Sequence, residues 1–152
     1  MLNLARVESE IVLDGHPPSA KMNIGVDYDG TIFPFGEMMG PKIPFPGAVG
    51  AIKAFKKAGY NIIILTSRLS PTWWEAEGWD EDEAYETQSE YVASTLDQWE
   101  IPYDMITSEK IPCKWMIDDR AIEFHGDWGE VCDKLANQIP GLAYPLRGVP
   151  HG

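Results

Sequence analysis

Cysteine, basic charge and long apolar runs are all scarce in this sequence. Its 152 residues include two cysteines. Cys113 and Cys132 fit neither a zinc-ligand spacing nor a disulfide framework, so both are read as reduced thiols of a cytoplasmic protein. Lys and Arg number 12 against 24 Asp and Glu, which gives a formal net charge of −12 and a pI near 4.5. That balance argues against a nucleic-acid backbone as the main partner, because phosphate-backbone contacts need clustered Lys and Arg. A small phosphorylated substrate stays open, since a cation and a few local basic groups can offset the charge. No apolar run approaches the length of a membrane span. The first residues lack a basic region followed by an apolar stretch, so no secretory signal is read there. No internal repeat or low-complexity tract is present. A chain of this length reads as one domain that buries roughly two-thirds of its unfolded surface.

What is present is concentrated at the ends of three apolar runs. Ile24-Gly25-Val26 leads into Asp27-Tyr28-Asp29-Gly30-Thr31. Residues i and i+2 of a strand face the same side, so Asp27 and Asp29 are expected to project from the tip of a buried strand into one small volume. Open parallel α/β sheets place their ligands at that edge. Two crowded carboxylates repel unless a cation or a shared proton offsets the charge. Mg²⁺, which prefers oxygen ligands, suits the place. An Asx-turn closing a strand is the plainer alternative. Asn61-Ile62-Ile63-Ile64-Leu65 reads as a strand buried on both faces and ends at Thr66-Ser67-Arg68. Trp115-Met116-Ile117 ends at Asp118-Asp119-Arg120, and Lys110 stands eight residues before Asp118. One sheet edge thus gathers two acidic pairs, a hydroxyl and cationic side chains, an inventory that suits phosphoryl transfer. Eight acidic residues also fall between Glu75 and Glu90 with no basic one. That run lacks a convergent strand edge and reads as a solvated helix face and loop.

These motifs resemble those of the haloacid dehalogenase superfamily, in its Asp-based, Mg²⁺-dependent phosphatase branch. The resemblance runs from about Met22 to about Asn137 and rests on the order and spacing of four motifs. It implies a three-layer, Rossmann-like α/β sandwich with a central, mostly parallel sheet. It implies Asp27 as nucleophile, Asp29 as general acid/base, Thr66 as a phosphate ligand and Lys110 as the lysine of the third motif. Lys114 competes for that last role, but it is expected at the start of the following strand, too far from the tip. The metal would be held by Asp27, the backbone carbonyl of Asp29, Asp118 and Asp119. Ser67, Arg68 and Arg120 are candidate substrate contacts, with structural ion pairing an equal reading for the two arginines. The dual role of Asp29 implies an elevated pKa there. Asp29 also favours phosphate chemistry over dehalogenation, which in the family needs neither that acid nor a metal. The implied activity is a Mg²⁺-dependent phosphomonoester hydrolase with an aspartyl-phosphate intermediate, acting on a small phosphorylated substrate. A nucleotide or nucleic-acid-end phosphatase and a non-catalytic binding module are the alternatives.

The remaining elements fit around the motifs. Residues 1–21 form an extension of unassigned role, with a short edge strand expected at Val7 to Leu13 and a linker at His16 to Ser19. Residues 22–152 are read as the single catalytic domain. Between Gly30 and Pro46 the family places a hairpin flap over the site. Phe33, Phe35, Met38, Met39 and Phe45 there either contact a leaving group or form the flap's own core. A helix is expected over Gly47 to Ala58, with Val49, Ile52 and Phe55 as its apolar stripe and Gly59 as its stop. Leu69 to Asp80 reads as a loop whose Trp73, Trp74 and Trp79 either stack on a substrate or anchor the loop. A helix over Asp80 to Trp99 carries a stripe of Tyr85, Val92, Leu96 and Trp99, and Ile101 to Ile106 gives a strand. The last helix begins at a capping box, Asp127 to Glu130, and buries Trp128, Val131, Leu135 and Ile139. A final strand is expected at Leu142 to Tyr144. No space remains for a large cap domain, which resembles the capless members and their open sites.

Overall fold

A computed structural model describes residues 21–142. The strand expected at Val7 to Leu13, the His16–Ser19 linker and most of the strand expected at Leu142 to Tyr144 lie outside the described residues. The chain forms two compact units, one running through Asp119 and the other beginning at Arg120.

The first unit is built on four parallel strands in the order β3-β2-β1-β4. They are β1 (Asn23–Asp27), β2 (Asn61–Leu65), β3 (Met105–Thr107) and β4 (Trp115–Ile117). Between them run α1 (Ala48–Lys57), α2 (Pro71–Glu77) and α3 (Glu81–Gln98). The α/β fold with a central parallel sheet is the one the motifs imply. The branched runs form the strands because a parallel sheet buries both faces. Ile24, Val26, Ile62, Ile64 and Ile106 join one cluster with Ile52 of α1 and Val92 and Leu96 of α3. Ile63 and Met105, paired across the opposite face, are buried as well. A buried hydrogen bond of 2.6 Å between Tyr28 and Thr95 ties the first loop to α3.

Several expectations need correction. The Leu69 to Asp80 stretch is not a loop: a 3-10 turn over Ser67–Leu69 leads directly into α2, with Pro71 in the first helical turn, where its missing N–H costs nothing. Tyr85 is not in the buried stripe of α3. It is 44% exposed, and the buried face is carried instead by Ala84, Gln88, Tyr91, Val92, Thr95 and Leu96. The residues after Asp29 contain no hairpin; their one bridge joins Asp29 to Phe33. The segment is held to α3 by side chains: the Tyr91 hydroxyl donates to Gly40 O (2.6 Å) and Trp99 Nε1 to Lys42 O (2.8 Å). These two aromatic side chains do here what a strand pairing would have done.

The second unit holds α4 (Trp128–Leu135). Asp127 caps it by accepting from Gly129 N at 2.8 Å, as its position implied. The other half of the expected box is absent, because the Glu130 carboxylate pairs with Lys134 and His125 instead. Lys134 and His125 hold Glu130 below its ordinary pKa, and Glu130 with Glu123 raises that of His125. The expected apolar face is not buried: α4 has no buried residue, and Trp128 and Ile139 are exposed. A unit this short has too little chain to enclose a core of its own.

Candidate active site

Strand register assembles the site. Asp27 pairs with Leu65, and Leu65 with Thr107, while Val26 pairs with Ile117. The residues one step beyond, Asp118 and Thr66, therefore flank Asp27 at the carboxyl edge of the sheet. Asp27, Asp118 and Asp119 each bring a carboxylate oxygen within 4.8 Å of the others. Thr31 braces them: its hydroxyl lies 3.2 Å from Asp27 Oδ2 and 3.3 Å from Asp119 Oδ1, and it accepts from Asp119 N at 3.1 Å. Gly30 makes the approach possible. Its φ is +89°, and a Cβ there would lie 2.5 Å from Asp119 Oδ2 and 2.6 Å from the Phe35 ring.

The cluster is electrostatically strained. Asp27 is pushed from 3.8 to about 7, first by burial, then by a hydrogen bond to Asp119 and the charge of Asp118; the Thr31 hydroxyl opposes this. Three oxygen donors this close fit a hard divalent cation, which would offset their repulsion. Asp27, Asp118 and Asp119 are the side chains that would hold it.

Thr66 is buried at the tip of β2. Its oxygen accepts from Arg68 N at 3.2 Å, which leaves its O–H proton for an anionic oxygen. Ser67 is exposed beside it. Of the two readings of Arg68, the structure shows the ion pair. Its Nε and Nη2 donate to Asp29 at 2.7 and 3.0 Å, and Nη1 donates to Met38 O and Gln88 Oε1. The rings of Tyr28 and Tyr91 cover it at 5.6 and 5.0 Å. Arg120 is exposed at the start of the second unit.

Lys110 leaves the carboxyl edge three residues after β3, is exposed, and forms no ion pair among the described residues. Lys114 stands just before β4, its backbone N–H on Asn23 O and its ammonium over the Trp115 ring. A cation absent from the sequence reading does reach a motif acid: Lys42 Nζ lies 3.7 Å from Asp29 Oδ1, with its side chain 4% exposed. One signal existed, since Lys42 is the single Lys or Arg between Asp29 and Lys53. Thr31 and Gln88 were missed for a different reason: their roles come from contacts 88 and 20 residues away in sequence.

The aromatic alternatives also resolve. Phe33 is fully buried against Tyr28, whereas Phe35 is 59% exposed. Trp74 is an anchor, buried with Nε1 on Arg68 O at 2.8 Å, and Trp73 packs on the core. Trp79 stands edge-on to Trp73 and is partly exposed.

No family model and no curated protein matches the chain. Two solved structures are similar to it. One is a conserved protein from Bacteroides thetaiotaomicron, 19% identical, with a TM-score of 0.43, covering 78% of this chain and 93% of that one. The other is the D,D-heptose 1,7-bisphosphate phosphatase from B. bronchiseptica, in complex with magnesium and phosphate. It is 20% identical, with a TM-score of 0.38, and the match covers 76% of this chain and 62% of that one. Both likenesses are too distant to carry chemistry from those proteins to this one.

Proposed function

We propose that this chain is a Mg²⁺-dependent phosphomonoester hydrolase of the haloacid dehalogenase type, acting on a small phosphorylated substrate. The observation that carries the reading is the convergence of Asp27, Asp118 and Asp119 within 4.8 Å at the carboxyl edge of adjoining parallel strands, beside the Thr66 hydroxyl. Bound Mg²⁺ would neutralise the carboxylates and the phosphate oxygens together. Asp27 attacks phosphorus, the ester oxygen leaves, and an aspartyl-phosphate forms on Asp27. Asp29 supplies the proton to the leaving oxygen and then takes one from the water that cleaves the intermediate. The Thr66 hydroxyl donates to a phosphoryl oxygen. Lys110, in the loop after β3, would meet the same charge. No helix among the described residues is long and apolar enough to cross a membrane; a cytoplasmic location belongs to the proposal.

Turnover of p-nitrophenyl phosphate with and without Mg²⁺ tests the reading. Metal-dependent release of phosphate is expected, with a beryllium fluoride adduct on Asp27. Absence of both would leave a binding module that keeps the fold.

A further inference from the structure

Asp29 is held by two buried cations that come from outside its own motif. Arg68 reaches it from the turn after β2, with the two-pronged geometry only a guanidinium provides. Arg68 is 6% exposed, and its four side-chain hydrogen bonds all go to the protein. Lys42 Nζ stands 3.7 Å from Asp29 Oδ1, and its backbone carbonyl accepts from Trp99 Nε1. A substrate-binding arginine would need open donors and access to solvent. This one is buried, with the rings of Tyr28 and Tyr91 against it and Nε, Nη1 and Nη2 all donating to the protein. Its contacts instead join three pieces of chain: the loop after β1 through Asp29, the 34–45 segment through Met38 O, and α3 through Gln88.

We infer that Arg68, backed by Lys42, is a positioning residue that fixes the carboxylate of Asp29 for its part in the reaction and does not touch the substrate. The inference rests on the phosphatase reading. It concerns where Asp29 points. A carboxylate left to rotate would meet the leaving oxygen and the attacking water in only a fraction of its orientations, and misplacement of this kind lowers rate more than binding.

A double-mutant cycle on kcat and KM for p-nitrophenyl phosphate tests it, with Arg68→Gln, Asp29→Asn and the pair, each normalised to folded protein by near-ultraviolet circular dichroism. Arg68→Gln is expected to lower kcat on the order of a hundredfold, as loss of an acid/base group does, with KM within about threefold of wild type. Adding Arg68→Gln to Asp29→Asn is expected to cost less than about threefold more, because the arginine acts through the aspartate. Arg68→Lys keeps charge and length without the fork, and is expected to resemble Arg68→Gln. Multiplying losses, a rise confined to KM, or full activity in Arg68→Lys would each overturn the inference. A wild type inert towards this ester with Mg²⁺ present would strike the phosphatase reading itself, before any variant is compared.

Discussion

Arg68 grips both carboxylate oxygens of Asp29, at 2.7 and 3.0 Å, although 39 residues separate them in sequence. Asp27, two residues before Asp29, makes the opposite choice and faces two other carboxylates. The two acids of one short motif therefore occupy opposite electrostatic environments. One is paired with buried cations of the protein, and the other is crowded by carboxylates. Such a division suits a pair whose members do different chemistry.

Asp27→Asn should fold, and without metal it should melt no lower than wild type. The amide is nearly isosteric and removes one of three crowded negative charges, while Thr31 can still donate to its oxygen. Turnover should vanish because an amide is no nucleophile. Thermal melting and phosphate release check both halves. Near-full activity would end the proposed mechanism.

The raised Asp27 predicts how stability depends on pH. Its folded value of about 7 exceeds the ordinary 3.8, so between those limits the folded chain holds a proton that the unfolded chain has lost. The difference in bound protons makes unfolding easier as pH rises through that window. Metal-free wild type should therefore lose stability from about pH 4 to about pH 7 relative to Asp27→Asn, whose side chain does not titrate. Mg²⁺ competes with the proton, so its effect on Tm should be larger near about pH 8 than near about pH 5. Asp118→Ala should remove most of that rise. Melting curves across pH, with and without Mg²⁺, measure each term; a Mg²⁺ effect that ignores pH would count against Asp27 as a ligand.

The parts of this arrangement that are legible in the sequence are the local ones. Each strand's apolar run and the polar residues at its tip are consecutive, so Asp27, Thr66 and Asp118 can be assigned to one edge before any coordinates. Parallel pairing then fixes them as neighbours. The contacts that tune the site are not local. Lys42 lies in a Pro-rich segment without secondary structure, and its carbonyl is held by Trp99, 57 residues away. Arg68 could be read as ion pair or substrate contact because a guanidinium serves both uses, and its partners choose between them. The stripe assigned to α3 went wrong at Tyr85 because helical spacing marks a face without saying how wide it is; Trp74 meets Tyr85 edge-on at the margin of that face.

Gly30→Ala should damage the metal site more than the fold. A left-handed φ of +89° costs a residue with a Cβ about 1–2 kcal/mol. The new methyl would also fall 2.5 Å from Asp119 Oδ2, so that carboxylate must turn away from Thr31 and its partners. A modest drop in metal-free Tm is expected, together with loss of most of the Mg²⁺-induced rise. Calorimetric titration with Mg²⁺ separates the two effects. Unchanged Mg²⁺ affinity would show that Asp119 is not needed as a ligand in the position seen here.

The two lysines before β4 give the last prediction. Lys110 starts three residues beyond the tip of β3, on the reacting edge, with a mobile four-carbon stem and no competing ion pair among the described residues. Lys114 sits at the opposite end of β4 from Asp118, where its ammonium already rests on Trp115. A lysine facing the charge that develops on phosphorus is worth about 3–4 kcal/mol, or on the order of 10²–10³ in rate, whereas a solvated loop lysine is worth little. Lys110→Ala should therefore cut kcat at least about a hundredfold, and Lys114→Ala should stay within about tenfold of wild type. The split also has a structural expectation: with Mg²⁺ and phosphate bound, the Lys110 ammonium should move to the Asp27 carboxylate, since a dianion at that edge leaves a nearby cation its best partner. Equal, small losses in both variants would make Lys110 a surface charge. The lysine role at this edge would then be unfilled by any residue after β3.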